Sequence, residues 1–440
     1  MLSQMVEVIS AVLLAGLAAG ALSPAIRLAA GGDPARPGPR PVVWGVITGS
    51  LLGGAHIVLH QYSILRVNRQ RMTLTTLEPT VALFIVTLAI CWIFGRRTLA
   101  ELHRNQHLGL SSAGIASPIP TVWSRIATVL GFAWCTMVFF RASQPVWLTI
   151  WSWVPSNSSI FSTDTFLAVL GWMTGILVCL VAGIAVRAMC QRRPGLSPAL
   201  FTIMGTLLTA THLFLMLRLL VSMSAVRVTT DTAKAMSWVT NHAELFPILA
   251  SGVAMGVAGL MFVHARQLDV TDTNAANHRL KQASVISMTR RSMLTLAAST
   301  VAMATLTAGK HFASTEIQLS EPEPYDMDGD NVSIALEQIS DGHLHRFEYS
   351  TSQGVKVRFI VIQKAGTSFG VGLDACEICG PSGYYEEDGK VICKLCGVAM
   401  NIATIGFKGG CNPIPIDFKV ANNHLTVPVP ALESSAKVFA

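Results

Sequence analysis

Up to residue 309 the chain is a succession of long, nearly unbroken apolar blocks, and beyond it the pattern shortens to alternating apolar and polar positions. A hydrocarbon core about 30 Å thick asks for roughly 20 apolar residues per crossing helix. Eight blocks reach or approach that length: 6–28, 42–65, 75–94, 126–140, 166–189, 199–221, 245–265 and 293–308. The fourth and eighth are short, so the pattern predicts seven or eight spans. From residue 332 the period falls toward two, and 332–339, 345–350 and 355–362 read as strands punctuated by Gly342 and Gly354. The third alternates at first and ends apolar, as a half-buried strand does. Between the two regimes, Glu321-Pro-Glu-Pro-Tyr-Asp-Met-Asp-Gly-Asp330 reads as an acidic linker ending in a turn. The expected fold class is therefore a polytopic α-helical membrane bundle of about eight spans followed by a small β-rich domain, which the charge distribution and the cysteines below make an exported cysteine-knuckle metal domain. The division is 1–309 for the membrane domain, 310–331 for the linker and 332–440 for the cysteine-rich domain.

Composition agrees with that division. Hydrophobic residues make up 51% of the 440 and charged residues 13%, against roughly 25% charged in a soluble domain, which excludes a purely soluble protein. The net charge of +7 is unevenly spread: residues 1–309 hold 22 Lys and Arg against 9 Asp and Glu, residues 310–440 hold 10 against 16. With eight spans, fifteen basic residues fall in one set of connections and seven in the other. Basic residues stay on the cytoplasmic side during insertion, which puts both termini and the tail outside. The basic excess thus reports orientation, and with an acidic tail it gives no reason to expect a nucleic-acid partner. Trp147, Trp151 and Trp153 are expected in an outer loop past the fourth span, at headgroup level. No cleavable signal is expected, since Glu7 stands where a basic region would be.

Ionisable residues inside spans raise a functional question by default. His56 and His60 lie four apart and share a helix face, His212 falls inside the sixth span, and His242 and His264 fall near the two ends of the seventh. Histidines from facing helices can ligate haem iron, hold a metal ion or relay protons; the plainer reading is hydrogen-bonded or interfacial side chains. Asp326, Asp328, Asp330 and Glu337 occupy positions of a calcium loop, but Asn331 stands where glycine is expected and two prolines forbid the incoming helix, so a turn is expected there.

The cysteines carry the specific signal. Cys91, Cys135, Cys179 and Cys190 are scattered through apolar runs, where cysteine behaves as a small hydrophobe. Cys376-Glu-Ile-Cys379-Gly380 and Cys393-Lys-Leu-Cys396-Gly397 are two C-x-x-C-G knuckles separated by thirteen residues. Each brings two thiolates to one point, and glycine accepts the left-handed backbone that the turn requires. Four thiolates suit zinc or iron, while two disulfides are the alternative outside the cytoplasm. Cys411 is a fifth thiol. No P-loop, dinucleotide fingerprint or catalytic triad appears in its required context, so an electron-transfer or transport component fits better than a classical enzyme. A thiol-disulfide oxidoreductase working through its C-x-x-C pairs is a further alternative, although one pair would suffice for that chemistry.

The blocks His345-Arg-Phe, Val357-Arg-Phe-Ile-Val, Asp374-Ala-Cys-Glu-Ile-Cys-Gly380, Gly383-Tyr-Tyr385, Val391-Ile-Cys-Lys-Leu-Cys-Gly397, Ile405-Gly and Gly409-Gly-Cys-Asn-Pro-Ile-Pro415 resemble, in this order, the FtrD-like membrane iron-sulfur proteins. The resemblance spans about 342–415 and implies a multi-span protein of the bacterial cytoplasmic membrane with an extracytoplasmic cysteine-rich domain. It implies a role in ferrous-iron uptake beside an iron permease and a periplasmic iron-binding protein. It further implies that Cys376, Cys379, Cys393 and Cys396 ligate an iron-sulfur cluster or mononuclear iron, with Cys411 and His345 nearby as motif residues. On this reading an exported iron centre transfers electrons, and haem on His56, His60, His212 or His264 would extend the route across the bilayer. The other reading is a helical transporter or binding subunit carrying a purely structural zinc domain.

Overall fold

The computed structural model describes residues 1–35, 40–64, 69–107, 119–153, 163–222, 226, 229–271, 273–313, 318–377, 379–387, 389–395, 397–407 and 412–439. The chain divides into two compact units, one of residues 1–222 and 244–314, the other of residues 223–243 and 315–440.

The first unit is helical: α1 (Leu2–Ala29), α2 (Pro41–Gln61), α3 (Arg69–His107), α4 (Thr121–Trp153), α5 (Thr163–Arg192) and α6 (Leu196–Ser222) precede α7 (Thr230–Asn241), which belongs to the second unit, and α8 (Leu245–Gln267) and α9 (Ala275–Ala304) complete it. Eight of these helices, all but α7, are long and apolar enough to cross a membrane. In such segments the helix satisfies its own backbone, which a bilayer core demands. α1 is the most enclosed, with Leu13, Leu17, Leu22 and Leu28 fully buried against α3, α4, α5 and α6.

The two short blocks have separate explanations. Apolar residues 293–308 are only the second half of α9, whose first half carries Arg279, Lys281, Arg290 and Arg291. The helix runs on through a π turn at Thr305–Gly309 and a final α turn, α10 (Lys310–Ala313), where Lys310 pairs with Glu244 at 2.5 Å. In α4 hydropathy is broken by Arg141, Ser143 and Pro145, yet the helix continues because Arg141 donates to Thr73 O and Thr76 Oγ1 of α3 at 3.3 and 3.1 Å. Trp147, Trp151 and Trp153 therefore lie on α4 and not in a loop. Trp147 Nε1 donates to Ser50 O of α2 at 2.9 Å. α2 reaches α4 along Gly45, Gly49 and Gly53: a Cβ at Gly49 would stand 2.4 Å from Thr136 O, so the seam brings backbone against backbone.

In the tail, β1 (Asp326–Asp328) and β2 (Asn331–Ala335) form a tight hairpin, which is what the aspartates flank. The run expected as strand 332–339 stops at Ala335 and becomes a helical turn, α11 (Leu336–Ile339). The reason is the partner's length: β10 (His424–Pro428) pairs with β2 only as far as His424, and Leu336 N–H then donates to Asn423 O in the turn after β9 (Lys419–Ala421). A second sheet joins β3 (Leu344–Ser350), β4 (Lys356–Ala365) and β5 (Ser368–Leu373), and a third joins β6 (Tyr384–Glu387), β7 (Lys390–Cys393) and β8 (Ala399–Met400). β4 is buried on both faces, not one. Val357, Phe359 and Val361 enter a core with Val332, Ile334, Leu425 and Val427, while Ile360 and Ile362 enter a second core that holds the cysteines.

β5 follows the same parity in Phe369-Gly-Val-Gly-Leu373. Phe369, Val371 and Leu373 fill the first core, while Gly370 faces Ile405 and Gly372 faces Pro413 and Ile414. A Cβ at Gly372 would stand 2.8 Å from Pro413 Cβ and 3.0 Å from Ile414 O. Gly372→Val is expected to destabilise the tail by about 2–3 kcal/mol through overpacking against backbone. Faster amide exchange in β5 and at Ile414 in the full chain would show it; protection equal to the parent would refute it.

Candidate metal centre

The first knuckle begins where β5 ends. Cys376 and Gly380 form an antiparallel bridge, Cys376 N–H to Gly380 O at 3.2 Å and Gly380 N–H to Cys376 O at 3.0 Å. The chain closes that turn with Gly380 at φ +66°, a conformation that a side chain would strain. Inside the turn Cys379 N–H donates to Cys376 Sγ at 3.0 Å. The second knuckle follows β7 on the same plan: Gly397 N–H donates to Cys393 O at 2.9 Å and Cys393 N–H to Val398 O at 3.1 Å. Ser382 Oγ lies 3.7 Å from Cys393 Sγ.

Cys376, Cys379 and Cys393 are buried in one apolar cluster with Ile360, Tyr384 and Val391. The described thiols of the two motifs thus share one apolar cluster. Cys396 and Cys411 lie outside the described residues, and among the described ones no three His, Cys, Asp or Glu side chains stand as ligands of one ion. The donor set still fits a thiolate centre: an N–H aimed at sulfur favours the charged form, apolar walls exclude water, and soft sulfur suits iron-sulfur clusters and zinc. Neither knuckle opens a helix among the described residues, so the helix N-terminus that often activates a redox cysteine is not supplied here.

The geometry rests on buried charge that the sequence showed only as motif letters. Asp374, fully buried, accepts from Arg346 Nε at 2.9 Å and Arg358 Nε at 3.2 Å through Oδ2, and from Tyr384 N–H at 2.8 Å through Oδ1. Arg346 also donates to Tyr384 O and, at 2.7 Å, to Ser320 O; Arg358 donates to Pro381 O at 2.8 Å. Tyr384 pairs with Cys393 across β6 and β7, so one carboxylate two residues before Cys376 ties the first knuckle to the second. The available signal was two arginines inside apolar strands, since a buried charge requires a partner. Beside the centre, the Tyr385 phenol is pushed up, first by burial and then by the charges of Glu387 and Cys393.

His345 lies elsewhere. On β3 it shares the face of Phe347, away from Leu344 and Arg346, which turn toward the cysteines. Its Nδ1 meets Glu323 at 3.0 Å and its Nε2 meets Asp341 at 2.9 Å. The Asp341 carboxyl is held below its ordinary range by the His343 backbone N–H and then by the His345 side chain.

In the helical unit, the His56 and His60 rings are 6.2 Å apart on one face of α2, and the His56 ring lies 5.7 Å from that of Phe140. Sharing one helix face, the two rings would not serve together as the opposed ligands of one iron. His212 of α6 is within electrostatic reach of Arg141 of α4, and His264 sits in the last turn of α8. Among the described residues these four do not converge on one site.

Residues 339–439 match the model of a family described as membrane iron-sulfur containing protein FtrD-like, the family that the ordered motif blocks resemble. No curated protein and no solved structure matches the chain.

Proposed function

We propose that this chain is a membrane component of a bacterial iron-uptake system, and that its tail holds an iron or iron-sulfur centre on Cys376, Cys379, Cys393 and Cys396 and passes electrons. The observation that carries the reading is the family match over 339–439, laid on a segment whose described knuckle thiols share one buried apolar volume. When bound, such a centre supplies one-electron exchange. The protein's own groups do the rest. The Cys379 N–H directs Cys376 Sγ, Asp374 and Arg346 fix the distance between the knuckles, and the apolar cluster keeps water off the sulfurs. Eight crossings would put both chain ends on one side, and the excess of basic residues in the opposite connections supports an extracytoplasmic tail. Uptake through an iron permease requires the metal in a defined redox state, so an electron carrier beside a permease and a periplasmic iron-binding protein serves that chemistry.

The test is metal content, visible absorption and EPR on the full chain in nanodiscs, prepared without oxygen. Iron with charge-transfer bands that bleach reversibly on reduction is the expected result. Stoichiometric zinc in a colourless protein would overturn the redox role and leave a structural zinc domain on a helical bundle.

A further inference from the structure

Away from the cysteines, the helical unit contains a cavity of about 600 Å³ bounded by α1, α2, α4 and α5. α2 packs on α4, α5 packs on α1, and α1 packs on α4, whereas α2 and α5 make no extended contact among the described residues. The result is a cleft with α1 and α4 as its floor. Gly16 and Gly20 line it, and there α1 and α5 meet backbone to backbone: a Cβ on Gly20 would stand 2.3 Å from Gly183 O. Its rims carry Ile47 of α2 and Leu180 and Ile184 of α5, which are 43%, 51% and 59% exposed. The mouth therefore opens sideways along apolar helix faces, where a bilayer would lie.

The polar groups are unevenly placed along it. Trp147 and Trp172 already donate to backbone carbonyls, Ser50 O at 2.9 Å and Val146 O at 3.1 Å. At one end stand Arg40, just before α2, and Arg187, near the close of α5, and among the described residues no acidic one lines the cleft. The buried Nε of Arg187 has no hydrogen-bond partner among the described residues. Neighbouring Arg27 turns its Nε to Asp33 O at 3.1 Å. From Trp172 to Arg187 the cleft follows fifteen residues of α5, about 22 Å at 1.5 Å per residue, longer than half a bilayer's hydrocarbon thickness of roughly 30 Å.

We propose that this cleft binds an anionic phospholipid, one acyl chain lying over Gly16 and Gly20 and the phosphate meeting Arg40 and Arg187. An apolar body with one anionic end is the chemistry that uses the whole site. A free anion leaves the apolar length empty, and a neutral amphiphile leaves the arginines unmatched. Basic pockets between membrane helices are the recognised setting for anionic headgroups.

The test is native mass spectrometry of the full chain released from mixed micelles holding equal phosphatidylglycerol and phosphatidylcholine. Phosphatidylglycerol is expected to be retained over phosphatidylcholine by about twenty-five-fold, roughly fivefold for each of two arginines. Arg40→Gln with Arg187→Gln should bring the ratio near one. Ile184→Trp, at an exposed rim position that leaves the core untouched, should reduce retention of both lipids with the arginines intact. Equal retention by the parent chain would overturn the site. So would inorganic phosphate raising the unfolding temperature as much as the lipid does, or a retained neutral molecule indifferent to the arginine changes.

Discussion

Asp374→Ala is expected to destabilise the tail by about 3–5 kcal/mol, the range for breaking a buried ion pair and leaving its partner behind. Arg346 is almost fully enclosed, and without the carboxylate its guanidinium keeps only carbonyl and hydroxyl acceptors, Ser320 and Tyr384 O, for a whole positive charge. The same change removes the acceptor of Tyr384 N–H, so the strand that faces Cys393 loosens together with the turn that carries Cys376. Asp374→Asn keeps an acceptor oxygen and loses the charge, and should fall between the parent and the alanine variant. Hydrogen exchange on the full chain reads this directly as lost protection in β3, β4 and β6. Unchanged protection in Asp374→Ala would mean that the carboxylate does not hold the knuckles.

Cys393→Ser is expected to abolish stoichiometric metal binding by the full chain. Cys393 is fully buried and its backbone closes the second knuckle, so serine keeps the turn and removes the sulfur. Cys376→Ser should behave alike. Cys179→Ser, a buried thiol of the helical unit, should leave the metal content unchanged, which separates loss of a ligand from a general effect of losing a cysteine. Metal per chain, measured by elemental analysis beside absorption, decides it; full occupancy in Cys393→Ser would remove that residue from the ligand set. If the centre held zinc, the same loss would occur without any colour to follow, so this result and the redox test above are independent.

What could be read in advance depended on how far apart the interacting residues lie. A membrane span is a local property, and the apolar runs located all eight long helices. Their ends were misjudged where a polar residue finds a partner on another helix, as Arg141 does with Thr73 and Thr76; no window of hydropathy contains that contact. The turn from Cys376 to Gly380 was legible because the C-x-x-C-G spacing is itself that turn. The double burial of β4 was half legible in its apolar ending, whereas its partners on the two faces come from residues as distant as Val332 and Met400. Asp374 and Arg346 were visible as letters and not as a pair, since 28 residues and two strand crossings separate them. The helical turn Leu336–Ile339 was lost to a strand reading because nothing in that stretch announces that its antiparallel partner β10 begins only at His424.

The shared strand has a consequence for how the tail finds its fold. A sheet with one wet face can slip by one residue and lose only its burial on the other. β4 has no wet face. A slip would carry Phe359 among the thiols, push Ile360 into the opposite core, and swing Arg358 away from Asp374. Each side thus acts as a proofreader for the alignment of the other, and the thiols come together only on a chain that has already been threaded correctly.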